Sequence, residues 1–193
     1  AAADLATLET QRQTFIVWMV PSDAIYTQVK QSFSAEGAYY RLLYSLTGKK
    51  INLKLSTDTW IEEDLTANDS LTILLLSKDA LVRDARSRKA LLIYRNADNV
   101  SRLSCFIGHT QPSLFKLLEL VKPIFVIDES HKIYTSIGQQ FFQETSITRF
   151  VLELSATPKR YSEDHYPNII CEFSASDLIK HSLIKKGIKA KPE

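Results

Sequence analysis

Two polar clusters, each closing a short apolar run, hold the side chains of this sequence that could do chemistry together. The first is Pro123-Ile-Phe-Val-Ile-Asp128-Glu129-Ser130-His131. The second, after a helix-length spacer, is Phe150-Val-Leu-Glu-Leu-Ser155-Ala156-Thr157-Pro158. An apolar run stopping at polar residues is the pattern of a buried parallel strand. In an open α/β sheet, ligands gather beyond the carboxyl ends of such strands. An acid at that position can hold Mg²⁺, usually through water, and a second carboxylate beside it can orient or deprotonate an attacking water. Asp128 suits the first role and Glu129 the second. The same two acids could instead cap the next helix, where negative charge meets the positive end of the dipole. Taken alone, the pair leaves these readings even. The second cluster tips the balance, because the hydroxyls of Ser155 and Thr157 can hydrogen-bond the Asp128-Glu129-His131 loop from a neighbouring strand.

Other elements must frame those two strands. Phe15 to Val20 is a continuous apolar strand ended by Pro21, and Ser22 can cap a helix in which Ile25, Val29 and Phe33 share a face. Ala38 to Leu46 reads as a Tyr-rich helix. Its Tyr39, Tyr40, Leu43 and Leu46 could stack on nucleobases, but a stripe at this spacing is more often core, and core is the expectation. Thr47-Gly48-Lys49-Lys50 lacks both the first glycine and the hydroxyl of a phosphate-binding loop, with Leu43 and Lys50 in their places, so it reads as a turn.

Ile51 to Leu55 alternates like a half-exposed strand near an edge, and residues 57–70, with Asp58, Glu62, Glu63, Asp64 and Asp69, read as a solvated connection. Leu71 to Leu76 is another strong strand. The cluster Arg83, Arg86, Arg88 and Lys89 reads first as a solvated helix face and second as a DNA contact. His109 has no evident partner, Pro112 to Val121 is an amphipathic helix, and a late strand is expected near 169–173.

Asp-Glu-x-His followed by Ser-Ala-Thr resembles motifs II and III of the superfamily-two DExH helicases and translocases. Phe15-Ile-Val-Trp-Met-Val-Pro21-Ser22 resembles their motif Ia. Ser155-Ala-Thr-Pro-Lys159, with Asn168 and Ser174-Ala-Ser-Asp177, is similar to the Res subunits of type III restriction-modification enzymes. The resemblance covers most of residues 12 to 185, weakly between 37 and 70. It implies a first RecA-like domain of the P-loop NTPase type, a three-layer α/β/α sandwich with a mostly parallel sheet.

Residue by residue, the resemblance places ATP and Mg²⁺ at Asp128 and Glu129, a relay at His131, and coupling of hydrolysis to nucleic-acid binding at Ser155 and Thr157. It places a contact to the sugar-phosphate backbone at Pro21 and Ser22, although a helix cap alone explains Ser22 equally well. It further implies double-stranded DNA as a partner, a modification methyltransferase subunit beside it, and possession of an endonuclease. In the family a glycine-rich phosphate loop precedes motif Ia and a second RecA-like domain follows. Neither is found here, so residues 1–193 are expected to be a partial domain.

Composition bounds the alternatives. A chain of 193 residues, 45% hydrophobic, can bury one good core. A formal charge of +2 does not by itself argue for a nucleic-acid partner. Cys105 and Cys171 have no metal-ligand spacing and read as reduced core residues. No apolar run reaches membrane-spanning length and no export signal opens the chain, so a cytoplasmic protein without a membrane partner is expected. Two rivals stand beside the motor reading: another superfamily-two repair or RNA helicase, and a binding module that keeps the fold without turnover.

Overall fold

The computed structural model describes residues 15–80, 98–103, 112–130, 147, 149–155, 171 and 180. The chain divides into two compact units, Ala1–Lys159 and Arg160–Glu193. All the strands described below belong to the first.

Five parallel strands form one sheet: β1 (Phe15–Val20), β2 (Lys50–Leu55), β3 (Ser70–Ser77), β4 (Ile124–Asp128) and β5 (Phe150–Leu154). Their spatial order is β2-β3-β1-β4-β5. The four strands expected near 15–20, 71–76, 124–127 and 149–154 are all present, and the 51–55 strand lies at an edge as its alternation implies. At the late site only Cys171 is described; it is outside any strand and exposed, so its assignment to the core is corrected. Cys105 lies outside the described residues.

Alternation along the strands splits the core in two. Phe15, Val17 and Met19 of β1, Leu74 and Leu76 of β3, and Phe125 and Ile127 of β4 face one way. There they meet α4 (Leu114–Val121) and the 3₁₀ segment Asp98–Leu103, through Leu114, Leu117, Leu118, Val100 and Leu103. Val20 of β1 with Leu71, Ile73 and Leu75 of β3 face the other way, onto Val29 and Phe33 beneath α1 (Asp23–Ser32). Helical elements therefore cover both faces, which is the three-layer architecture expected. Side chains of period two on strands and near-fourfold period on helices make this possible.

Between α1 and α2 (Ala38–Thr47) the chain turns at Gly37, where a Cβ would collide with the carbonyl of Ser32. Gly48 ends α2 in the left-handed region, φ 68°, with its N–H donating to Tyr44 O at 2.8 Å. Thr47-Gly48-Lys49-Lys50 is thus a helix stop leading into β2, as read from its sequence.

Two expectations fail in this half of the molecule. No residue of α2 is buried, so its tyrosine stripe is not core. The 57–70 connection is not simply solvated: Trp60 is fully enclosed and Asp64, in the short α3 (Glu63–Thr66), is buried. Asp64 Oδ2 pairs with Lys54 Nζ at 2.7 Å and accepts from Ile61 N at 2.9 Å, while Asn52 Nδ2 donates to Oδ1 at 2.8 Å. Thr72 Oγ1 donates to the Asp64 carbonyl at 2.8 Å. Trp60 stacks on Phe15, and Lys54 lies over its ring. Counting charges along 57–70 missed this, because Lys54 and Asn52 come from β2.

Candidate active site

The two carboxylates stand at the end of a strand buried at its centre. Ser113 caps α4, its Oγ accepting from Lys116 N at 3.3 Å. The helix ends at Lys122 with φ 45° and cannot continue through Pro123. The chain then enters β4, where Phe125 and Ile127 are fully enclosed and Val126 nearly so. On the far side, Arg149 N donates to Pro123 O at 3.1 Å and opens β5 alongside.

Register decides which side chains meet. Ile127 lies opposite Glu153 and Asp128 opposite Leu154, so Ser155 leaves the sheet one residue beyond the partner of Asp128. Met19 lies opposite Ile127, so Pro21 and Ser22 leave β1 at the same rim. Val20 lies opposite Ser77 on the other side. Asp128, Glu129, Ser155, Pro21 and Ser22 are thereby gathered at the carboxyl ends of three adjacent strands. The expectation that the acidic strand lies beside the hydroxyl strand is met. His131 and Thr157 lie outside the described residues.

Local backbone geometry sharpens the picture. Asp128 and Glu129 are half-buried and Ser130 is 1% exposed. Glu129 sits at φ 51°, a left-handed conformation that residues other than glycine rarely adopt and that costs on the order of 1 kcal/mol. Such strain concentrates at ligand sites, where the surroundings over-determine the backbone. Pro21 is buried and Ser22 exposed. Ser22 occupies the N-cap position of α1 and its carbonyl accepts from Tyr26 N at 2.9 Å, but its hydroxyl makes no capping bond. The helix-cap account of the Ser22 side chain is therefore corrected.

Among the described residues no three His, Cys, Asp or Glu side chains gather as a metal cage. An aspartate at a strand end suits Mg²⁺, a hard cation that keeps several waters and takes the rest of its oxygens from substrate phosphates. At the β2 end of the same rim, burial raises the pKa of Tyr26, and the nearby Asp58 and Asp23 carboxylates raise it further, so the phenol stays protonated to higher pH.

A parallel sheet sandwiched between helical layers, with acids at the carboxyl end of an inner strand, defines a RecA-like domain of the P-loop NTPase class. The chain belongs to the family of the type III restriction enzyme res subunit, whose sequence model matches residues 1–160. It is accordingly a helicase-like NTPase domain. No curated protein matches the chain. Among the described residues no helix is long and apolar enough to cross a membrane.

Proposed function

We propose that the chain is the first motor domain of a DNA-dependent ATPase, most like the res subunit of a type III restriction enzyme, acting on double-stranded DNA beside a modification methyltransferase subunit. The observation that carries this reading is the β4–β5 register, which sets Ser155 next to the acidic turn at one rim. Asp128 would hold Mg²⁺ on the nucleotide phosphates, through water, and the bound ion would neutralise charge that builds on the γ-phosphoryl group as it transfers.

The remaining work falls to this chain's side chains. Glu129 orients the attacking water and accepts its proton as the water oxygen bonds the γ-phosphorus and ADP leaves in line on the opposite side. Ser130 keeps the turn compact under the sheet rim. Ser155, with Thr157 and His131, links the acidic turn to the strand beside it, so that a change at the nucleotide is felt where nucleic acid is held. Pro21 and the uncapped hydroxyl of Ser22 suit a sequence-independent contact to the sugar-phosphate backbone.

Glu129→Gln tests the assignment, because it removes the base while keeping shape. In the full-length protein, Mg·ATP affinity should stay within about threefold and turnover should fall by about 10²–10⁴. Turnover equal to wild type would remove Glu129 from the mechanism and the motor reading with it.

A further inference from the structure

Helix α2 is the element whose chemistry the rim does not use. None of its residues is buried: Leu43 leans on the core below α1, and Tyr39 packs edgewise on Phe33 and obliquely on Trp18. The rest is offered outward, with Tyr44 49%, Leu42 56% and Leu46 72% exposed. Tyr40 and Tyr44 share one flank at i, i+4 spacing. Their rings are 8° from parallel with centroids 6.2 Å apart, giving two flat surfaces aligned along the helix. Arg41 is exposed on the same helix, and Lys49 and Lys50 follow it.

Charge selects the occupant. Residues 38–50 carry Arg41, Lys49 and Lys50 and no carboxylate, and the nearest acid before the helix is Glu36 in the preceding turn. Cations interleaved with exposed tyrosines complement a polyanion whose bases have flat faces, the combination used by proteins that hold single strands without reading sequence. Leu42 and Leu46 project together from a different flank and take no part.

We infer that the Tyr40–Arg41–Tyr44 flank of α2 is a platform for single-stranded nucleic acid. A base lies on the exposed ring of Tyr44, and backbone phosphates run past Arg41 and Lys50. The choice of nucleic acid over a protein partner rests on the motor reading above, and the strand is one opened from the duplex on which that motor acts, because only unpaired bases offer their faces to a tyrosine ring.

The test uses the full chain with an oligodeoxythymidylate carrying 5-iododeoxyuridine, read by fluorescence anisotropy and by photo-crosslinking. Tyr44→Ala should weaken binding roughly fivefold or more and Tyr44→Phe should not, since only the ring matters. Arg41→Ala should lower the slope of log affinity against log salt by about 0.7. The crosslink should map to residues 38–47. If Tyr44→Ala and Arg41→Ala bind as wild type while Ser22→Ala weakens binding, this platform is refuted and the motor reading stands. If the wild-type chain binds no strand at low salt, the platform is refuted, and ATP turnover by Glu129→Gln decides the motor reading separately. Loss of self-association, rather than of strand binding, in Tyr44→Ala would also overturn it.

Discussion

The two outer strands of the described sheet are finished in opposite ways. At β2, the chain closes its own edge: Lys54 and Asn52 reach into α3 and are met by Asp64, while Asn99 Nδ2 donates to Ser56 O at 2.8 Å and to Asp58 O at 3.1 Å to hold the loop beyond. At β5, Phe150 and Leu154 are 48% and 38% exposed, and among the described residues no strand pairs with its outer side. Inward charges and covering loops are the usual protection of a sheet edge, and an apolar edge strand without them is a template for association. The candidate active site lies beside β5, whose Phe150 and Leu154 are the more exposed apolar side chains of the two outer strands. The β2 side is tied down by side-chain bonds, and the chemistry-bearing residues sit at the ends of β1, β4 and β5.

Asp64→Ala should have the largest effect on this contrast. It takes the carboxylate from Lys54, whose side chain is only 14% exposed and keeps just the Thr59 carbonyl at 3.1 Å as an acceptor, and removes the acceptor for Ile61 N and the closer acceptor for Asn52. Breaking a buried pair from one side costs about 3–5 kcal/mol. Urea denaturation should show that loss. A change below about 1 kcal/mol would mean that the β2 edge is no better built than the other.

A substitution of similar boldness at the opposite edge, Phe150→Lys, should cost only about 1 kcal/mol, because about half of the side chain is in water already. Its effect should appear in sedimentation, as less concentration-dependent association. Equal destabilisation by the two substitutions would erase the distinction.

The smallest effect concerns pH. The pKa of Tyr26 is raised above the usual 10.0, first by burial and then by Asp58 and Asp23. A raised folded-state value stabilises while the phenol is protonated in both states. That contribution is present below pH 10.0 and is lost as pH rises through the folded value. Tyr26→Phe should flatten the fall in melting temperature above pH 10, and an unchanged alkaline limb would exclude Tyr26 as its source.

Much of this was legible because it depends on period and punctuation. Continuous apolar runs ending in Pro21, Ser77 and Asp128 announced strands buried on both faces, and the alternation of Ile51 to Leu55 announced an edge. The rim followed from strand ends, since parallel strands bring their carboxyl ends together. What stayed hidden was long-range pairing. Asp64 looked like one acid among several until β2 supplied Lys54 and Asn52. The α2 stripe had core spacing, but only Leu43 and Tyr39 reach the core. The signal that could have corrected it was charge: α2 holds an arginine and no acid, as a solvent-facing cationic helix would. At Ser22, residue type announced a cap, but type does not fix the side-chain rotamer.

The most direct test of the shared rim is a double-mutant cycle in single-turnover ATP hydrolysis, combining Glu129→Gln with Ser155→Ala. Residues acting as one unit are strongly non-additive. Ser155→Ala alone should slow hydrolysis at least tenfold, and in the Glu129→Gln background it should cost almost nothing further. Losses that simply multiply would show that the two strand ends work independently, contradicting the site described.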